Sequence, residues 1–168
     1  MEALDTPQER PKGLLVLAIL TFISTGSTIF FGVITVLFLR PSEADLAEEK
    51  REMTKAILEF KKLGFDSLVN LFEKLQAMTE ALNAHFMASN LLNILFAVIG
   101  ALSAYFMLKR NHLGFHGYII YNLLACVHIY FFVSPSIVPS LIPIFNFIIC
   151  LIFVLLYARH LSWMKNEY

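Results

Sequence analysis

Residues 14–39 pass without one charged side chain. As a helix, those 26 residues span roughly 39 Å at ~1.5 Å per residue. That exceeds the roughly 30 Å hydrocarbon core of a bilayer, so the helix crosses with some tilt. Residues 84–108, 115–133 and 137–158 read the same way, and none of them holds an Asp, Glu, Lys or Arg. Composition bears on the point: 58% of the 168 residues are hydrophobic and 15% are charged, where a soluble domain has about a quarter charged. The apolar remainder is therefore solvated by lipid. The expected fold class is all-α, an integral membrane protein with four transmembrane helices.

A secretory signal is the rival reading of the first run, because Arg10 and Lys12 precede it and the small residues Ser24-Thr25-Gly26-Ser27 follow. The run continues through Ile29-Phe30-Phe31 to Leu39, well past a cleavage region, so it reads as an uncleaved span. Along it Ala18, Thr21, Thr25, Thr28, Gly32 and Thr35 recur at steps of three and four. Such a stripe of small residues lets another helix backbone approach closely.

The charges are gathered in residues 40–83, which hold nine of the thirteen acidic and seven of the thirteen basic side chains. Arg40-Pro41 ends the first span, and Ser42 with Asp45 three residues on suits the start of a new helix. Leu46, Met53, Ala56, Ile57, Phe60 and Leu63 make its apolar stripe, and Gly64 is its expected stop. From Asp66 or Ser67, Leu68, Leu71, Leu75, Met78 and Leu82 follow coiled-coil spacing. No sequence break is evident before Arg110, so the expectation is one long helix whose first third stands outside the membrane. Residues 40–83 thus form an extramembrane helical hairpin between spans one and two. Leu68, Leu71, Leu75 and Met78 are its interaction face, to be covered by the other arm together with a second copy, a partner or the membrane surface.

Residues 109–114 form a basic turn, and Ser134-Pro135-Ser136 a polar one. Pro139 falls in the first turn of span four, where its missing donor costs nothing, while Pro143 lies deeper and is expected to bend the helix. Arg159, His160, Trp163 and Lys165 read as an interface anchor. The tails, residues 1–13 and 159–168, and the 109–114 turn together hold Arg10, Lys12, Lys109, Arg110, Arg159 and Lys165, and the loop at Ser134 to Ser136 holds no basic residue. That asymmetry places both termini in the cytoplasm.

With no Asp, Glu, Lys or Arg in any span, a proton-coupled exporter lacks its usual carrier of charge. Asn90, Asn93, Asn122, His128 and Asn146 fall together in one polar layer in the outer half of the membrane, joining helices or lining a small cavity. His112 and His116 share a helix face beside Lys109 and Arg110, without a third metal ligand. No phosphate loop, no HExxH spacing and no nucleophile with a base beside it is evident, so neither metal nor cofactor is expected and the chain does not read as an enzyme. A net charge of zero gives no basic face for nucleic acid. Cys126 and Cys150 lie in apolar runs and read as buried free thiols. The partners expected are the lipid bilayer and a second copy or another membrane protein. The function expected is interaction or assembly through the outer hairpin, with a transporter or channel component using the polar layer as the alternative.

Several stretches resemble an uncharacterised family of small four-span inner-membrane proteins of Gram-negative bacteria. They are Pro11-Lys12-Gly13-Leu14-Leu15-Val16-Leu17 with Ile19-Leu20-Thr21-Phe22-Ile23, residues 100–107 running into Leu108-Lys109-Arg110, Gly114-Phe115 with Gly117-Tyr118, and Phe153-Val154-Leu155-Leu156-Tyr157-Ala158. The resemblance covers the four spans. It implies a bacterial inner-membrane location and no known activity. The family's segment between spans one and two is acidic and methionine-rich, whereas here it is nearly charge-balanced.

Overall fold

The structure, a computed structural model, describes residues 10–164. Most of the 1–13 tail, and Lys165 of the expected interface anchor, lie outside the described residues. Six α-helices follow in order: α1 Lys12–Phe38, α2 Glu43–Lys62, α3 Asp66–Ala84, α4 Phe86–Leu108, α5 His112–Val127 and α6 Leu141–Ala158. A single 3-10 turn, His128–Phe131, continues α5. No strand occurs among the described residues. α1, α4, α5 with its 3-10 turn, and α6 are long and apolar enough to cross a membrane.

Local chemistry sets most of the boundaries. The Ser42 hydroxyl accepts from the Asp45 amide, and the Asp45 carboxylate accepts from the Ser42 amide. Two of the donors that any helix start leaves unpaired are thereby satisfied. At the other end of α2, Gly64 takes φ +76°, which costs a residue without a Cβ little. The Phe65 amide donates back to the Phe60 carbonyl at 3.0 Å. The Asn111 side chain caps α5 through the Leu113 amide at 2.8 Å.

Three expectations are corrected. The long helix from Asp66 onward is broken at His85, where φ −114° and ψ 27° leave the helical region. The His85 amide closes only a three-residue turn, to the Leu82 carbonyl, and its ring lies 5.7 Å from that of Phe132. Span four starts at Leu141 rather than at residue 137, because Pro139 precedes the helix and its carbonyl accepts from Ile142 at 3.0 Å. Pro143 is therefore in the first turn, where a missing amide is no loss, and it does not act as a mid-span bend. Trp163 is not an exposed anchor: the turn after α6 carries it beneath the bundle to 7% exposure, with Met164 fully buried beside it.

α4 packs along both α1 and α5, and α6 lies on α5 and reaches α1 near its own carboxyl end. The tightest core is at the basic end: Leu14, Leu17, Ala104, Met107, Phe115, Tyr118 and Tyr157 pack with Trp163 and Met164. The Arg110 guanidinium sits 5.4 Å from the Trp163 ring, and its Nε donates to the Trp163 carbonyl at 3.3 Å. The α1 stripe of small residues is used inside the bundle. Ala18, Thr21 and Thr25 are buried, and a Cβ at Gly32 would meet Ile94 of α4 at 2.7 Å. The opposite faces present Phe30, Phe31, Phe38 and Phe145 outward, apolar surface of the kind that marks a membrane or protein contact.

α2 and α3 run side by side in opposite directions. Phe60 stacks on Phe72 with ring centroids 5.1 Å apart, and Lys50 Nζ lies 3.1 Å from Glu80 Oε1. That ion pair is exposed and contributes little. The ring stack and the apolar stripe behind it set the pairing.

Candidate functional site: a polar cavity between α1, α5 and α6

A cavity of about 190 Å³ opens where α1, α5 and α6 meet. Thr21, Ser24 and Thr25 face it from α1; Tyr118, Tyr121 and Asn122 from α5; Asn146 and Cys150 from α6. The helix period explains the grouping: steps of three and four along each helix bring those positions onto one face. Gly100 of α4 permits the approach from behind, since a Cβ there would stand 3.0 Å from the Tyr121 ring and 3.1 Å from the Thr25 methyl.

The polar groups are largely tied down. Thr21 Oγ1 lies 2.9 Å from the Tyr157 hydroxyl, and Thr25 Oγ1 donates to the Thr21 carbonyl at 2.8 Å. The Tyr118 ring stands 4.6 Å from that of Tyr157. Asn122, 7% exposed, donates to the Tyr118 carbonyl at 2.8 Å. Asn146 bridges helices by donating to the Ala125 carbonyl at 3.3 Å, and the Cys150 thiol points to its amide oxygen at 3.7 Å. Hydroxyl and amide dipoles without a formal charge suit a neutral solute or water. An ion entering would meet no counter-charge among the lining groups.

The five polar residues singled out from the sequence do not all line this cavity. Asn122 and Asn146 come together at the cavity. Asn90 donates to the Phe86 carbonyl of its own helix at 2.8 Å. His128 Nε2 lies 3.3 Å from the Ser89 carbonyl and ties the end of α5 to the start of α4. Asn93 stands on an exposed face of α4. Sequence reading missed Tyr118, Tyr121 and Tyr157. The signal was present, since three tyrosines within apolar spans each need a partner for a hydroxyl.

Two surface features lie beyond the bundle. A groove of about 360 Å³ separates the first half of α2 from the second half of α3, with Leu46, Ala47, Met53 and Ala84 as its apolar lining and Glu49, Lys50 and Glu80 among its polar groups. A second crevice, about 640 Å³, has Asp66, Leu68, Leu71 and Lys74 of α3 on one side and Pro139, Ser140 and Leu141 on the other. The stripe proposed as an interaction face is accordingly divided. Leu68 is exposed; Leu71, Leu75 and Met78 are half-buried, and Leu71 faces the start of α6. Among the described residues no cluster of three or more His, Cys, Asp or Glu is placed to hold a metal ion. The chain matches no protein-family model, no curated protein and no solved structure.

Proposed function

We propose that this chain is a non-catalytic multi-pass membrane protein that acts as an interaction or assembly component through α2 and α3, which form a helical hairpin outside the bilayer. Both termini lie on the cytoplasmic side, in keeping with the basic residues of the short segments, and the resemblance noted above favours a bacterial inner membrane. One observation carries the reading: the charged pair is the part of the molecule suited to water, and it keeps an apolar-lined groove open at its foot. Ala84 in that groove adjoins the top of α4, and the nearby end of α1 presents Phe38 at 77% exposure. A helix of a neighbouring membrane protein running beside α1 would reach the groove with its outer end. Helix-in-groove contacts of this kind rest on a few apolar anchors.

A photo-crosslinking amino acid at Met53 or Thr79, in native membranes, tests it. A discrete adduct that disappears when Ala84 is changed to Asp, and persists when Phe65 is changed, supports the groove. Monomer alone overturns it, and an adduct of twice the chain mass reassigns the partner to a second copy.

The cavity favours a second reading, a small-solute path. Asn122→Leu and Asn146→Leu each remove a polar wall group. If the path reading holds, they abolish flux in reconstituted vesicles while the protein stays folded. If these residues only join helices, each changes stability by about a kilocalorie or less.

A further inference from the structure

The break at His85 changes where the far end of the hairpin lies. A continuous α3–α4 rod would carry Asp66 roughly 28 Å beyond the bundle, given nineteen residues in α3 at ~1.5 Å each. Instead residues 66–74 stand across one crevice from Pro139, Ser140 and Leu141. α3 therefore leaves the top of α4, passes Phe132 beside His85, and ends against the start of α6. The hairpin lies across the end of the bundle, and its tip reaches the level at which α6 begins.

That level is where the lipid-facing surface of α6 starts. Leu141 is 72% exposed, and Ile144 and Phe145 continue the apolar face. The tip itself carries Leu63, 66% exposed, with Leu58, Phe65 and Leu68 also outward. These side chains gain little by standing in water, and no part of the described chain covers them. The flanking charges Glu59, Lys61, Lys62 and Asp66 cancel, so attraction to one kind of headgroup is not what would hold the tip. Apolar burial is.

We infer that the hairpin tip, Leu63-Gly64-Phe65 with Leu58 and Leu68, is an interfacial anchor that inserts into the acyl-headgroup boundary of the bilayer beside the start of α6. Lys61 and Lys62 extend their stems along the apolar tip and keep their ammonium groups at the phosphate level. Gly64, at φ +76°, makes the turn tight, with Leu63 and Phe65 exposed on either side of it. In-plane amphipathic segments hold to membranes by this combination of apolar area and snorkelling cations. The hairpin is thus a strap laid along the surface and pinned at both ends, by α1 and α4 at its foot and by lipid at its tip.

The inference rests on the membrane reading above, and the experiment separates the two. In a Cys126→Ser, Cys150→Ser background, nitroxide labels go at Leu63→Cys, Phe65→Cys, Glu52→Cys and Phe145→Cys of the full chain. The protein is reconstituted in vesicles of phosphatidylethanolamine and phosphatidylglycerol. Accessibility to oxygen, which concentrates in lipid, is compared with accessibility to a water-soluble nickel chelate. The expected result is an oxygen-to-nickel ratio several-fold higher at positions 63 and 65 than at 52, approaching that at 145. If 63 and 65 match 52 while 145 is lipid-exposed, the anchor is refuted and the membrane reading stands. Strong nickel access at 145 refutes both. Loss of both accessibilities at 63 and 65, with spin–spin broadening that fades on dilution with unlabelled protein, overturns the inference in favour of a second copy.

Discussion

Thr21 Oγ1 and the Tyr157 hydroxyl lie 2.9 Å apart across 136 residues of sequence, closing the first helix onto the last. α6 touches α1 only lightly, so this buried pair counts for more than its single bond suggests. It also forms one end of the polar run that continues through Thr25 into the cavity. Tyr157→Phe and Thr21→Val are expected each to lower stability in detergent by about 0.6 kcal/mol, and by no more than about 1.7, the average and the maximum for such bonds between membrane helices. The double variant should cost less than the sum, and a denaturation cycle reads that coupling directly. Strict additivity would show that the hydroxyls do not act as a pair.

Gly114 and Gly26 make a matched comparison. A Cβ at Gly114 would stand 2.5 Å from the Met107 amide nitrogen and 2.7 Å from the Ser103 carbonyl oxygen, both backbone atoms that cannot swing aside. Around Gly26 nothing lies within 4 Å. Gly114→Ala is expected to destabilise by about 1–3 kcal/mol, the usual cost of overpacking. Gly26→Ala should be neutral or slightly stabilising, because alanine favours the helix. Thermal unfolding of both in the same detergent checks the contrast.

The start of α2 should respond to acid. The Asp45 carboxyl is held below its ordinary value of 3.8 by the Ser42 hydroxyl and then by the Ser42 amide. A carboxylate depressed in the folded state contributes stability above its unfolded value and loses it as pH falls through the folded one. Below pH 3.8 the first turn of α2 is therefore expected to loosen progressively. The Ser42 amide resonance should move with that titration, and Asp45→Asn should abolish the movement.

Orientation is checked by labelling. Ser136 is exposed at the end of the bundle that bears the hairpin, and Asn111 lies in the basic turn at the other end. With the native cysteines replaced, Ser136→Cys is expected to react with an impermeant thiol reagent from outside intact cells, and Asn111→Cys only after permeabilisation. The reverse pattern would place the hairpin in the cytoplasm.

Much of this molecule is local, and what is local is legible. The Ser42 and Asp45 cap, the stop at Gly64 and the four apolar runs depend on residues within a turn or two of each other. Side-chain hydrogen bonding, glycine's freedom at positive φ and the thickness of a bilayer decide them in advance. The α1 stripe was legible too, since small residues at helical spacing announce close packing whatever the neighbour. The cavity was legible only in part. Asn122 and Asn146 stand out as amides in apolar runs, but nothing in their spacing separates them from Asn90 and Asn93.

What the tertiary structure decided was direction. Whether α3 continues into α4 or folds back depends on His85, whose ring finds Phe132 some 47 positions later. No helical period can foresee such a contact. Trp163 has the composition of an interface anchor, yet the turn after Ala158 brings Arg110 to its ring and carries it under Leu14 and Met107. Pro143 has the residue type that bends helices, yet the helix begins only two residues before it. By itself the sequence determined which stretches are helical and which four of them are apolar, because those outcomes follow from the free energy of nearby side chains. Which faces meet, and where the hairpin lies, were decided by contacts between residues far apart in the chain, whose energies exist only once the bundle has closed.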